Sequence, residues 1–127
     1  MKILGIDYGT KRVGLAISFG PLAEPLGIIE NSDTLLPSLL FLCVEQKVEE
    51  IVVGLSDREM AKKTQEFVDL LKTKLDLPIH FIDESYSSHQ VHQLIRESGM
   101  KQKKRQEPID HFAATYILQE YLDTHTS

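Results

Sequence analysis

The sequence predicts an α/β domain built on a five-stranded mixed sheet, three antiparallel strands followed by two parallel ones, flanked by helices. Three observations carry that expectation. Two short apolar runs near the N-terminus flank the turn Tyr8-Gly9-Thr10-Lys11-Arg12. The second half alternates apolar runs of strand length with longer stretches of helical spacing. The 127 residues, 42% hydrophobic and 26% charged, suit one domain spanning 1–127 with a core of its own.

Residues 2–7 read as a buried strand and Val13-Gly14-Leu15-Ala16-Ile17 as its hairpin partner, with glycine supplying the backbone freedom the connection needs. After Pro21 and Pro25 break the chain, Leu26 to Glu30 gives a third strand and completes a meander. Asn31-Ser32-Asp33 offers capping side chains to a buried helix over Leu35 to Val48. Ile51-Val52-Val53-Gly54 is a short apolar strand. Met60, Ala61, Thr64, Phe67, Val68, Leu71 and Leu75 recur at three and four residues, the mark of an amphipathic helix that ends before Pro78. Ile79-His80-Phe81-Ile82 is the fifth strand, and right-handed crossovers make the last two strands parallel. Ser87 or Ser88 caps a helix through Glu97 that stops at Gly99, and Pro108 opens a last helix to about Asp123.

The lone cysteine, Cys43, lies in the apolar run Leu39 to Val44 and reads as a core residue in a reducing compartment. The first apolar stretch is too short for a signal-peptide core or a membrane span, so a cytoplasmic protein with no membrane partner is expected. A net charge of −5 argues against a passive polyanion-binding tail. Nucleic-acid binding then requires a local basic patch or metal ions.

Acids stand at three element ends. Asp7 closes the first strand, where a carboxylate calls for a cation or hydrogen bonds, and amides of the Gly9-Thr10 turn would serve equally. Asp83 and Glu84 close the fifth strand at the usual edge for sites in open sheets, and alternation sends only one of them to the face of Asp7. On the last helix Ile109, Phe112, Ala113, Tyr116 and Ile117 trace the core face. Asp110 lies on its shoulder, and its place in a first helical turn also fits a favourable dipole interaction. Converged, Asp7, one of Asp83 and Glu84, and Asp110 make an oxygen site for Mg²⁺ or Mn²⁺ and for phosphodiester hydrolysis. His80, His89, His92, His111 and His125 are scattered, without zinc spacing. Thr10, Lys11 and Arg12 follow Asp7, and Lys103, Lys104 and Arg105 precede Asp110, so both basic runs flank the acids and suit phosphate contacts.

The segments Gly5-Ile6-Asp7-Tyr8-Gly9-Thr10-Lys11-Arg12-Val13-Gly14-Leu15-Ala16-Ile17-Ser18, Ile51 to Leu55, Asp83-Glu84, Lys104-Arg105 and Asp110 through Leu122 resemble the YqgF or RuvX-like pre-16S rRNA nucleases of the RNase H-like fold. The resemblance covers nearly the whole chain. It implies metal-dependent cleavage of RNA or DNA, a role in maturing the 5′ end of small-subunit ribosomal RNA, contact with pre-ribosomal particles, and acidic positions at Asp7, Glu84 and Asp110. This chain departs from the family in three places. Ser85 stands where an arginine is frequent, Ser56-Asp57-Arg58-Glu59 shortens the loop after Leu55, and Ser18-Phe19-Gly20-Pro21 replaces a Ser-Asp-Pro. Rival readings are a Holliday-junction resolvase acting on branched DNA, a catalytically weak nucleic-acid-binding assembly factor, and an ATPase turn suggested by Asp7-Tyr8-Gly9-Thr10. The expected oligomeric state is a monomer or weak dimer.

Overall fold

The computed structural model describes residues 1–55, 58–83 and 108–125. Strands β1 (Ile3–Tyr8), β2 (Arg12–Ser18), β3 (Ala23–Glu30), β4 (Glu50–Leu55) and β5 (Ile79–Asp83) form one sheet in the order β3-β2-β1-β4-β5. β1 runs antiparallel to β2 and β2 to β3, while β1, β4 and β5 are mutually parallel. Helix α1 (Leu35–Glu45) follows β3, α2 (Arg58–Lys72) links β4 to β5, and α3 (Pro108–His125) closes the described chain. The helix expected over Ser87 to Glu97 lies outside the described residues.

Alternation along the strands gives the sheet two apolar faces. On one, Leu4, Ile6, Val13, Leu15, Ile17, Ile51 and Val53 pack with Leu39 and Cys43 of α1 and Phe67, Val68 and Leu71 of α2. On the other, Ile3, Ala16 and Val52 meet Ala114, Ile117, Leu118, Tyr121 and Leu122 of α3. Cys43 is a core residue as expected, and burial pushes its thiol up to about 11.

The strands match the sequence reading except at β3, which begins at Ala23 and runs through Pro25. Proline is tolerated there because β3 is an edge strand with a bulge: Leu15 pairs with Gly27 and Ala16 with Pro25. The skipped residue, Leu26, packs against the first core.

Helix α1 stops at Glu45 rather than Val48 because Lys47 adopts a left-handed backbone, φ 56°. The Val48 amide then donates to the Cys43 carbonyl at 2.9 Å and the Lys47 amide to that of Val44 at 3.2 Å, a Schellman closure that turns Val48 into the core. At the other end Thr34 is the N-cap and makes no side-chain cap hydrogen bond. The buried stripe of α3 is Ala113, Ala114, Ile117, Leu118, Tyr121 and Leu122, with Tyr116 only half-buried, so the face is rotated from the one traced in the sequence.

Candidate nuclease site

The C-terminal ends of β1, β4 and β5 share one edge of the sheet, since the three strands run parallel. Asp7 is the penultimate residue of β1, half-buried, and paired with Gly14 of β2. It follows the Ile6–Val53 pair by one residue, which sets it level with Gly54 of β4 and, through the Gly54–Ile82 pair, with Ile82 of β5. Asp7 shares its face with Ile3 and Gly5, the α3 side. Gly54 is buried and carries no side chain onto that face. Two strand spacings make the interval between Asp7 and β5 roughly 10 Å.

Helix α3 reaches this edge because it crosses β1 at unusually close range. A Cβ built on Gly5 would lie 2.9 Å from Leu118 Cβ and 3.2 Å from the Ala114 carbonyl oxygen, so only glycine lets the helix backbone sit so low. The direction of α3 is equally defined. The Tyr121 hydroxyl donates to Glu50 Oε2 at 2.6 Å, at the start of β4, while Ala114 lies over Gly5. The helix therefore runs antiparallel to β1, and its first turn points towards the end that carries Asp7. From Ala114 back to position 110 is about 6 Å of helix, and from Gly5 on to Asp7 about 7 Å of strand. The backbones of Asp7 and Asp110 thus belong to one end of the sheet. The Asp110 side chain is outside what the structure describes, and so is that of Asp83, the last residue of β5. Glu84, Lys103, Lys104 and Arg105 lie outside the described residues. Among the described residues no three His, Cys, Asp or Glu side chains form a metal-sized cluster.

The hairpin tip at this end is tightly built. Thr10, Lys11 and Arg12 are exposed on it. A Cβ on Gly9 would fall 2.5 Å from the Arg12 carbonyl oxygen, so the turn requires glycine. Tyr8 stacks on Phe67 of α2, ring centroids 4.5 Å apart, which pins the base of the turn. Asn31, just past β3, donates from its side-chain amide to the Gly9 carbonyl at 2.6 Å and from its backbone amide to the Lys11 carbonyl at 2.9 Å. The sequence reading offered Asn31 to the α1 cap. Its actual role was foreshadowed only by an asparagine directly after a strand, and needed the β2–β3 register to become visible.

At the opposite end of the sheet His80 stacks on Tyr121 at 5.4 Å between centroids and approaches Glu50 Oε2 to 3.7 Å. Burial, then the Glu50 hydrogen bond and charge, push the Tyr121 hydroxyl up to about 12. These groups fasten α3 to the sheet far from Asp7.

The backbone matches that of Thermus thermophilus RuvC in complex with a Holliday junction substrate, TM-score 0.63, at 15% identity over 99% of this chain and 97% of the other. It also matches the Fowlpox virus resolvase bound to Holliday junction DNA, TM-score 0.64, at 13% identity over all of both chains. The fold is thus that of the RNase H-like, RuvC-type resolvases. A profile of the family described as "RuvX: Holliday junction resolvase" matches residues 1–124, and the chain belongs to that family of phosphodiester-cleaving nucleases. A Sulfurihydrogenibium protein named "Putative pre-16S rRNA nuclease" is 38% identical over 132 residues, covering 96% of this chain and 90% of its own. A protein of the same name from Koribacter versatilis is 36% identical over 137 residues, 96% of this chain and 86% of its own. Among the described residues no helix is long and apolar enough to cross a membrane.

Proposed function

We propose that this chain is a metal-dependent nuclease acting on pre-16S ribosomal RNA near its 5′ end, with Asp7, Glu84 and Asp110 holding Mg²⁺ or Mn²⁺. The observation that supports this most is the close crossing of α3 over Gly5, since it brings the first turn of that helix to the Asp7 end of the sheet. The donor chemistry agrees: carboxylate oxygens suit a hard divalent cation, and Asp7 stands half-buried near the end of β1. Ile82, two residues before Glu84 in the sequence, packs on the α3 face. A bound cation supplies charge neutralisation at the phosphodiester and favours water as nucleophile. The chain's own part is to orient that cation through the three carboxylates and to hold the phosphates through Thr10, Lys11 and Arg12 on one side and Lys103, Lys104 and Arg105 on the other.

The ribosomal substrate rests on the names of the relatives just described. The family description and the junction-bound neighbours favour branched DNA as a second reading. Both are tested by one experiment. Purified protein in Mn²⁺ is given a labelled RNA hairpin carrying the 5′ precursor sequence and, separately, a labelled four-way DNA junction. Cleavage of the RNA by wild type, reduced by about a thousandfold or more in an Asp7→Asn protein that retains the wild-type circular dichroism spectrum, is the expected result. Preferential cleavage of the junction would move the chain to the resolvases. RNA binding without cleavage by wild type would make it an assembly factor that has lost turnover. Glu84→Gln and Asp110→Asn should behave like Asp7→Asn, and full activity in either removes that residue from the ligand set.

A further inference from the structure

Asn31 follows the last β2–β3 pair, Arg12–Glu30, and carries the contact of β3 beyond the sheet register to the Gly9 carbonyl at the tip of the β1–β2 hairpin. We propose that Asn31 is a positioning residue that presents the Thr10-Lys11 tip to substrate phosphate by fixing the Gly9 and Lys11 carbonyls on the β3 side. This role rests on the nuclease reading above and deepens it.

The geometry runs through the peptide planes. In a trans peptide the C=O and the following N–H point in opposite directions, and no peptide bond among the described residues is cis. With its carbonyl held at 2.6 Å by the Asn31 side-chain amide, the Gly9–Thr10 peptide turns the Thr10 N–H away from β3. The Lys11 carbonyl, held at 2.9 Å by the Asn31 backbone amide, fixes the next anchor two residues on. The exposed residues at these anchors, Thr10 and Lys11, are thereby restricted in direction although no described residue buries them. Tyr8 on Phe67 and the glycine-only contact at Gly9 fix the base of the same turn, so the Asn31 side chain supplies the remaining constraint at its outer side. A cationic tip that is already ordered loses less conformational freedom on meeting phosphate, and that difference appears in substrate affinity rather than in the chemical step.

The test is a double-mutant cycle on the RNA hairpin and the four-way junction in Mn²⁺, with Asn31→Ala, Lys11→Ala and the double variant, and with Asn31→Ser as the milder change should the alanine variant fold poorly. Asn31→Ala and Asn31→Ser are expected to raise KM about fivefold with kcat within a factor of two. Combined with Lys11→Ala, either should add less than its single effect, because the lysine it positions is already gone. The salt dependence of KM should flatten in each single variant. Full additivity, or a fall in kcat at unchanged KM, overturns the positioning role while leaving the nuclease reading intact. Wild type that cleaves neither substrate overturns both.

Discussion

Single residues in this fold show most clearly where burial and partner chemistry act together. Tyr121 is buried on the sheet-facing side of α3, donates to Glu50 at 2.6 Å, and has its hydroxyl pushed up to about 12 by burial first and by Glu50 second. An unfolded tyrosine ionises near its usual value of about 10, so between roughly pH 10 and 12 the folded state holds a proton that the unfolded state has lost. The stabilising contribution is whole below pH 10 and disappears as pH rises through about 12. Urea midpoints at pH 9 and pH 11.5 should therefore fall further in wild type than in Tyr121→Phe. At pH 7 the phenylalanine variant should lose about 1 kcal/mol, one hydrogen bond to a charged acceptor less the gain from removing a buried hydroxyl. Equal slopes in the two proteins would mean that Tyr121 titrates outside that window. Nothing in the one-dimensional pattern announced this group: Glu50, His80 and Tyr121 meet only because α3 folds back over the start of β4.

Among the elements, α3 decides whether a site exists, and Gly5 decides where α3 lies. Adding one methyl at Gly5 meets Leu118 Cβ at 2.9 Å and the Ala114 carbonyl at 3.2 Å; the second is helix backbone and moves only if the helix moves. Gly5→Ala should cost about 1–3 kcal/mol by overpacking. Its cleavage rate, measured where the variant is fully folded, should drop at least tenfold, because lifting α3 carries Asp110 away from Asp7. A folded Gly5→Ala protein with the wild-type rate would show that the close crossing does not matter to the chemistry. The strands were legible beforehand because short apolar runs between turn residues have few alternatives, and β1, β2, β4 and β5 fall within a residue or two of their expected spans. The misreadings have local causes. Pro25 was taken as a breaker, yet an edge strand with a bulge accommodates it. The end of α1 was missed because Lys47, not glycine, takes the left-handed position, and lysine carries no such signal. The inner face of α3 was rotated because apolar residues occur nearly all round that helix, so spacing alone did not choose between Tyr116 and Leu118.

For the molecule as a whole, the acids proposed as ligands occupy positions of clear use and clear cost. Asp7 was a candidate from its place at a strand end, while its position at the end of the sheet reached by the start of α3 follows from topology: β4 and β5 add parallel to β1, and α3 returns antiparallel across the same face. In the proposed site, carboxylates brought to one edge of a chain of net charge −5 would repel one another, and a bound cation would offset that repulsion. Removing one of those charges should then relieve repulsion in metal-free protein, while removing the site's response to metal. Melting curves in EDTA are expected to place Asp7→Asn at or above wild type by up to about 1–2 kcal/mol, the familiar trade of stability against function. On adding Mn²⁺ at a hundred times its dissociation constant, wild type should gain about 2.7 kcal/mol through binding to the folded state alone, and Asp7→Asn far less. Substituting Glu24, an acid near the other end of β3, should leave the metal response at the wild-type value, since charge there is remote from the edge that carries Asp7. Equal stabilisation of wild type and Asp7→Asn by Mn²⁺ would locate the cation elsewhere and separate the fold from the site proposed for it.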